Sequence, residues 1–289
     1  MKRGFVNARS ALFDIYGDHL LTRSEQAPVA ALVRMLAPVG ISSPAVRTAV
    51  SRMARQGWLA PVRLPGGAGY RLTPAAVRRL RQAGDRIYRQ EQPGWDGHWH
   101  VVILERVPDR ARRERLRSAL GYLGYACLDA ATWISPHASV ELDALLRTER
   151  IRAERFAARH DGDPRGLAAR AWDLDGLARA YTAWIGQARE ILAPTMATAG
   201  APGTPGPLAD ETVFAVRSEL VHEWRKFLFI DPGLPAELLP AGWPGTEAAE
   251  LFHAEAGRLL PAASRFVDHC LAGGAGQAGR RGSGSGHDG

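Results

Sequence analysis

The sequence has few cysteines and no long apolar run. Cys127 and Cys270 are the only cysteines among 289 residues, which excludes a disulfide framework and a thiolate metal cluster and favours a reducing compartment. No apolar stretch approaches the roughly 20 residues of a membrane helix. The charged and polar residues that closely follow Met1 are unlike the apolar core of a secretory signal. We therefore expect a cytoplasmic protein without membrane contact.

The basic charge is concentrated in the first third of the chain. Residues 1–90 hold 15 Lys and Arg against four acidic residues, a net charge of +11, whereas the rest holds 22 basic and 26 acidic residues, a net charge of −4. A basic segment of this kind attracts a polyanion, of which nucleic acid is the commonest. The alternative is a set of arginines that only decorate a solvated surface.

The same segment shows the element order of a winged helix-turn-helix. We predict helices over 7–21, 28–36 and 43–56, strands over 58–64 and 70–72 around a glycine-rich turn at 65–69, and a helix from 74 to about 88. Ser43 before Pro44 predicts an N-cap, and Thr73 before Pro74 repeats this signal. Gly57 stands where a helix C-terminus is expected.

The third predicted helix has an apolar face and a polar face. Its apolar residues follow i, i+3, i+4, i+7 spacing and face the core: Val46, Ala49, Val50 and Met53. A helix that reads the major groove needs donors on its other face, where arginine can bind guanine O6 and N7 together. The candidate DNA contacts are Arg47, Thr48, Ser51, Arg52 and Arg55 in this helix, with Arg63 and Arg71 in the wing. We assign base contacts to Arg47 and Arg52 and a phosphate contact to Arg55, against the alternative of solvated surface charges.

Two further domains follow, which gives an α+β protein. Predicted strands over 98–107 and 126–135, helices over 109–123 and 139–146, and a segment at 151–158 that is either strand or helix suit a ferredoxin-like fold. Predicted helices over 174–192, 211–227 and 246–271 form a helical region. The expected division is 1–90 for DNA binding, 91–173 for the middle domain, 174–271 for the C-terminal domain, and a disordered Gly- and Ser-rich tail at 272–289.

The sequence contains little that suggests catalysis. Residues 222–226 differ from the zinc-protease motif because Lys226 stands where the second His is needed. A metal-dependent nuclease on the middle domain is the alternative function, with Glu105 and Asp109 as its candidate carboxylates, although the usual Asp pair is missing. A third hypothesis is a structural DNA-binding protein without an effector, against which the large C-terminal region counts. We expect no enzyme, no catalytic or metal-binding residue and no cofactor.

Twelve short motifs follow one another along most of the chain, at residues 7–10, 17–18, 46–53, 57–59, 70–74, 95–99, 133–136, 170–174, 221–227, 231–235, 238–240 and 243–245. In sequence and in order they resemble the PaaX family of phenylacetate-degradation transcriptional repressors. The resemblance covers about residues 5–270. One departure is the wing at 65–69, which has fewer basic residues than is usual in the family.

This resemblance implies a winged helix-turn-helix, a ferredoxin-like middle domain similar to Cas2, and a helical C-terminal domain. It also implies a homodimer that binds an inverted-repeat operator. An acyl-CoA effector such as phenylacetyl-CoA is expected to release the DNA and so to control the catabolism of aromatic acids.

A CoA ester requires basic groups for its phosphates and an apolar slot for its acyl part. Candidate effector-binding residues that offer both are Trp133, His222, Trp224, Arg225 and Lys226. Ordinary core packing is the alternative for the tryptophans.

Overall fold

The computed structural model describes residues 7–65, 67–88, 94–196 and 209–273. Their contacts divide the chain into two compact units. The described residues of the first are 7–65, 67–88, 187–196, 209–224 and 251–273, and those of the second are 94–186 and 225–250. The predicted C-terminal segment 174–271 is thus shared between the two units. The first residues of the predicted middle domain, 91–93, and most of the predicted tail lie outside the described residues.

The described residues before 89 form four α-helices and a small sheet in the first unit. The helices are α1 (Ala8–Ile15), continued by a π-helix at Tyr16–Leu20, α2 (Val29–Leu36), α3 (Ser43–Arg55) and, after the sheet, α4 (Pro74–Ile87). Strands β1 (Gln26–Pro28), β2 (Leu59–Leu64) and β3 (Gly67–Leu72) form an antiparallel sheet of order β1-β3-β2. These elements and their order fit the predicted winged helix-turn-helix.

The wing differs from the sequence prediction in its turn. The predicted turn at 65–69 is too long, because β3 begins at Gly67, which pairs with Leu64. Gly69 lies inside β3, where a Cβ atom would stand 2.6 Å from Leu64 Cδ1 and 2.7 Å from the Ala27 carbonyl oxygen. This glycine therefore permits close packing of the strands and does not mark a turn.

Local capping signals mostly hold. Gly57 has φ +75° directly after α3, as a helix C-terminal glycine should. The Thr73 side chain accepts a hydrogen bond from the Ala76 amide and caps α4. The N-cap of α3 is Ser42, one residue before the predicted Ser43. Strand β1, which the sequence analysis missed, is only three residues long.

Helices from the C-terminal region complete the core of the first unit. These are the part of α8 (Leu174–Met196) after residue 186, all of α9 (Asp210–Trp224), and the part of α10 (Pro244–Ala272) from residue 251. Phe214, Ala263 and Val267 are fully buried in the same cluster as Leu12 and Met53. The N-terminal helices therefore share one continuous core with α9 and α10.

The second unit contains a four-stranded antiparallel sheet. Its elements are β4 (Trp99–Leu104), α5 (Arg110–Tyr122), β5 (Ala126–Cys127), β6 (Thr132–Ser135), α6 (Leu142–Glu149) and β7 (Ala153–Ala158). The strand order β5-β6-β4-β7 and the βαββαβ sequence are those of the predicted ferredoxin-like domain.

In this domain the structure corrects one prediction and settles one segment for which strand and helix had both been considered. The single strand predicted at 126–135 is wrong, because the Asp129 carboxylate accepts hydrogen bonds from the amides of Ala131 and Thr132 and folds the chain into a hairpin. The segment at 151–158, which periodicity left undecided, contains strand β7, paired antiparallel with β4.

Each face of this sheet carries its own buried cluster. Helices α5 and α6 cover the face of Val102 and Trp133. On the other face Trp99 packs with α7 (Pro164–Ala171), the start of α8 and the short 3-10 helix Ala236–Leu238; another 3-10 helix lies at Arg225–Phe229. Across the described residues, no helix combines the length and apolar character needed to cross a membrane.

Candidate nucleic-acid interface

Helix α3 has the buried and exposed faces that its sequence predicts. All four residues of the predicted apolar face are at most 8% exposed: Val46, Ala49, Val50 and Met53. All five candidate contact residues of the helix are exposed: Arg47, Thr48, Ser51, Arg52 and Arg55. The orientation of α3 is therefore confirmed, whereas contact with DNA stays a prediction.

The beginning of α3 is suited to an anion. Pro44 lies in the first turn, where its missing N–H costs nothing. The Ser42 side chain makes no capping hydrogen bond, and the first turn contains no acidic residue. The first backbone amides of the helix are therefore open to an external acceptor such as a phosphate oxygen.

Four candidate arginines make no internal contact through their guanidinium groups. For Arg47, Arg52, Arg55 and Arg63, no hydrogen bond or ion pair to another residue of the described ranges is present. Guanidinium groups in this state are free to bind carboxylate, phosphate or base acceptors in a second molecule.

Other arginines of the N-terminal segment are bound within the first unit. Arg23 Nε donates to Asp268 Oδ1 at 2.8 Å, and Arg81 donates to Glu25 at 3.0 Å. Arg34 donates to the carbonyl oxygen of Cys270. The basic charge of the segment thus has two uses, and only part of it faces outward without a partner.

The two candidate wing arginines lie on opposite faces of the sheet. Arg63 pairs with Ala68, whereas Arg71 pairs with Ala60. Directly paired residues share a face and successive residues alternate, so Ala68 and Arg71, three positions apart, point in opposite directions. Arg71 Nε also donates to Gln26 Oε1 at 3.0 Å. The structure therefore does not bring Arg63 and Arg71 together on one surface.

An ionic cluster formed by Asp18, Arg217, Tyr88 and His19 lies in the first unit. Arg217 and His19 are buried, the Asp18 side chain is 10% exposed, and Tyr88 lies at the exposed edge of the cluster. Asp18, in the π-helix after α1, accepts hydrogen bonds from both terminal nitrogens of Arg217 and from the Tyr88 hydroxyl. His19 Nε2 lies 3.3 Å from Asp18 Oδ2. Arg217 Nε donates to the Ala256 carbonyl at 3.0 Å, so the cluster joins the π-helix, the end of α4, α9 and α10.

The charges of this cluster compensate one another. Burial alone would raise the pKa of Asp18, but the Arg217 guanidinium and His19 lower it below its usual value. Burial lowers the pKa of His19 to about 4, so its imidazole is neutral at pH 7. The cluster at neutral pH is therefore an Asp18–Arg217 ion pair, and removing one partner of such a pair leaves an uncompensated buried charge.

The sequence analysis did not identify Arg217, which stabilises the N-terminal helices of the candidate DNA-binding region. A signal was present, because Arg217 stands on the stripe Phe214, Arg217, Val221 and Trp224, whose other members are apolar and buried. A lone arginine on an apolar helical stripe indicates a buried ion pair. Its partner could not be found in this way, since Asp18 lies 199 residues away.

The predicted effector residues His222 and Trp224 both contact the N-terminal part of the first unit. His222 Nδ1 lies 2.9 Å from Asp14 Oδ2, and His222 lines a narrow cleft together with Asp14 and mainly apolar side chains. Trp224 Nε1 donates to the Ile87 carbonyl at 3.1 Å, and its ring stacks on Phe252 at 4.7 Å.

The other three predicted effector residues, Trp133, Arg225 and Lys226, belong to the second unit. Trp133 is 5% exposed in the core beneath α5, where the Arg117 guanidinium lies 5.9 Å from its ring. Burial lowers the pKa of Arg225 to about 10. The five residues are therefore divided between two units, and their role in effector binding stays a prediction.

The two carboxylates considered for a nuclease have local structural contacts. Arg152 Nε donates to Glu105 Oε2 at 3.1 Å, and this hydrogen bond lowers the pKa of Glu105. Asp109 Oδ1 accepts a hydrogen bond from the Arg112 amide at 2.6 Å and caps α5. Within the part of the chain that the structure describes, no group of three or more His, Cys, Asp or Glu side chains could hold a metal ion.

Comparison with known protein families gives three matches in the order of the chain. A PaaX-like protein model matches residues 7–76, the model of the PaaX central Cas2-like domain matches 92–167, and the model of the PaaX-like C-terminal domain matches 172–269. The matches cover the candidate DNA-reading region, the ferredoxin-like domain and the C-terminal helices. All three models describe domains of PaaX-like proteins.

The chain belongs to the PaaX family. It is 30% identical over 271 residues to the transcriptional repressor PaaX of Escherichia coli (strain K12), across 91% of this chain and 83% of that protein. Among solved structures it is similar to the uncharacterized protein Rv0674 from Mycobacterium tuberculosis, with 27% identity, a TM-score of 0.58, and coverage of 90% of this chain and 98% of that one.

Proposed function

We propose that this protein is a cytoplasmic, ligand-responsive transcriptional repressor that binds an inverted-repeat operator as a homodimer. An acyl-CoA such as phenylacetyl-CoA releases it from DNA and so induces the catabolism of an aromatic acid. The observation that carries the DNA-binding part is the set of outward guanidinium groups on α3, which have no internal partner above a closed core. The family relationship to a transcriptional repressor supports the regulatory part.

In the proposed complex α3 lies in the major groove. Arg47 and Arg52 each offer two parallel donors to guanine O6 and N7, and the short side chains of Thr48 and Ser51 reach a base or a phosphate. Arg55, at the end of the helix, binds phosphate. Among the wing candidates Arg63 is the better contact, because Arg71 already donates to Gln26.

The packing of the first unit supports a route from effector to DNA. Helix α9 bears Arg217, which binds Asp18 in the continuation of α1, and α1 packs against α3. A ligand that binds better to one position of α9 would shift the equilibrium between positions of α3. The acyl-CoA class itself follows from the family resemblance, and His222 and Trp224 stand on α9 as its candidate contacts.

The test is fluorescence anisotropy of the full-length protein on the DNA upstream of its own gene. Phenylacetyl-CoA is titrated in parallel with other acyl-CoA esters, and free CoA serves as the control. We expect tight binding that one acyl-CoA reverses and CoA does not. Tight binding that no acyl-CoA reverses would remove the effector from the proposal, and absence of any preference for this DNA would remove the repressor.

A further inference from the structure

The second unit contains a group of arginines that have no role in the proposed contact between α3 and the operator. We define this central arginine cluster by one residue after β4, three in α5 and two between α6 and β7: Arg106, Arg110, Arg112, Arg115, Arg150 and Arg152. The two segments concerned, 105–117 and 149–152, contain eight arginines and four acidic residues, a local net charge of +4. The net charge of the residues after 90 is negative, so this local positive charge is not evident from the charge balance of the chain.

Contacts between backbone and side chains bring one side of the cluster together. The Arg112 guanidinium donates to the carbonyl oxygens of Glu149 and Arg150, which ties the first turn of α5 to the end of α6. Glu149 Oε2 also lies 3.7 Å from Arg112 Nε and 3.9 Å from a terminal nitrogen of Arg115. One carboxylate is therefore shared by two guanidinium groups.

The end of strand β4 joins the other side of the cluster. The Glu105 amide donates to the Arg152 carbonyl at 3.0 Å, and the Glu105 carboxylate pairs with Arg152 Nε at 3.1 Å. Arg106 follows directly in the chain. Hydrogen bonds from Arg152 lower the pKa of Glu105, and the charges of Arg152 and Arg112 act in the same direction.

Three members of the cluster have an exposed guanidinium without an internal partner. Arg106, Arg110 and Arg150 are exposed, and none of their side chains makes a hydrogen bond or ion pair with another residue in the described segments. They are in the same state as the candidate DNA contacts of α3. The cluster thus holds more positive charge than its own carboxylates neutralise.

Arg150 also stands in an unfavourable backbone conformation. It follows α6 with φ +51° and ψ +51°, the left-handed region in which glycine is usual at a helix C-terminus. A side chain there costs conformational energy that a glycine avoids, and such positions cluster at functional sites. An arginine at this position keeps one more cation at the edge of the cluster.

We propose that the central arginine cluster is a second, sequence-independent contact with the phosphate backbone of DNA. This proposal rests on the proposed function, since it assumes that DNA is the partner. A small anionic ligand is bound in a concave site that buries most of its surface. The free guanidinium groups here are instead exposed and spread over the ends of several elements, an arrangement suited to the repeated phosphates of a polyanion.

The test compares two triple variants of the full-length protein. The cluster variant is Arg106→Gln, Arg110→Gln and Arg150→Gln. The control variant is Arg159→Gln, Arg170→Gln and Arg179→Gln, which removes the same charge from exposed arginines elsewhere in the second unit. The dissociation constants for upstream DNA and for a scrambled duplex of equal length are measured between 50 and 200 mM salt, with circular dichroism as the check of folding.

We expect the slope of log K against log salt to become shallower by about 0.9 for each phosphate contact that the cluster variant loses. Affinity for both duplexes should fall by the same factor, and the control variant should keep the wild-type slope. Replacing the same three arginines by lysine should restore the slope, because lysine also binds phosphate as a point charge.

Equal slopes for the cluster and control variants would overturn the proposal, since the cluster would then contribute no more than exposed arginines elsewhere in the second unit. The proposal also fails if the cluster variant binds DNA as the wild type does but needs a different concentration of phenylacetyl-CoA for release. In that case the cluster binds the ligand's phosphates. Failure of the proposed function would be recognised differently, because the wild type would then show no preference for the upstream DNA over the scrambled duplex. The salt slopes on the scrambled duplex could still be measured, so the cluster could be tested independently.

Discussion

The inner arginine of the first unit, Arg217, and its outer arginines, on the exposed face of α3, differ in what they bind. Arg217 is 2% exposed, and each of its three guanidinium nitrogens donates to Asp18 or to the Ala256 carbonyl. Arg47 lies on the exposed face of α3, and its side chain makes no hydrogen bond or ion pair within the described residues. The same side chain thus holds the C-terminal helices to the N-terminal domain at one position and is available to a second molecule at the other.

This difference follows from desolvation. A buried charge is tolerated only when it is paired and hydrogen-bonded, so Arg217 and Asp18 depend on each other. An exposed arginine gains little from intramolecular pairing, because water screens such pairs. Variants of the inner arginine should therefore change stability most, and variants of the outer arginines should change DNA binding with stability intact.

The largest effect is expected for Arg217→Met. This change keeps the volume of the side chain but leaves Asp18 buried without its cation, so the free energy of unfolding should fall by about 3–5 kcal/mol. Urea denaturation measures it. The control is Arg265→Met, whose exposed pair with Asp210 should leave the denaturation midpoint nearly unchanged. If both variants lose the same stability, the buried pair has no special role.

A somewhat smaller effect is expected from acid. The pKa of His19 is about 4 in the folded state, below the unfolded value of about 6.5, so its contribution is intact above pH 6.5 and is lost as the pH falls towards 4. At about 1.4 kcal/mol per pKa unit, the loss is about 3 kcal/mol. The lowered pKa of Asp18 acts in the same direction below about pH 4.

Urea denaturation between pH 7 and 4.5 measures this dependence, and His19→Gln provides the comparison. The variant should show a flatter decline of stability with acid, because it lacks the imidazole that must take up a proton on unfolding. An equally steep decline in the variant would assign the acid sensitivity to other groups.

On the outer face, Arg47→Ala should reduce discrimination between the operator and scrambled DNA by about 1–3 kcal/mol. Its thermal stability should equal that of the wild type, because the side chain is exposed and unpaired. Arg55→Ala is the matched variant on the same helix. It should weaken binding to both duplexes alike, since a phosphate contact carries no sequence information. Identical DNA binding by both variants and the wild type would refute the role of α3.

The smallest effect is expected for Arg150→Gly in the second unit. Glycine relieves the left-handed backbone at this position, so the free energy of unfolding should rise by about 1 kcal/mol. Arg147→Gly, within α6, should instead lower it by about 1 kcal/mol. A loss of stability in both variants would show that the Arg150 side chain has a structural role of its own.

Features that depend on local chemistry could be predicted from the sequence. The two faces of α3, the cap of α4 by Thr73 and the glycine at the end of α3 each depend on residues a few positions apart. The ferredoxin-like topology also emerged, although the hairpin turn at Asp129 was missed. Helix α7 was missed as well, despite the local signal of Asp163 before Pro164.

Features that depend on distant partners could not be predicted. The Asp18–Arg217 pair joins residues 199 positions apart, and Phe214 and Val267 complete a core begun by α1. No periodic pattern in the N-terminal sequence predicts either contact. Arg63 and Arg71 lie on opposite faces because of the register between β2 and β3. The start of β3 could not be predicted, because the glycines of the wing are equally typical of a turn.

Methylation protection at guanine N7 tests the central claim most directly, because this atom lies in the major groove and is the acceptor assigned to Arg47 and Arg52. Full-length wild-type protein on its upstream DNA should protect guanines in each half-site. Arg47→Ala should lose protection at one guanine in each half-site and keep the others. Protection that is absent from guanine N7 in the wild type, or unchanged in the variant, would contradict the reading of DNA by α3.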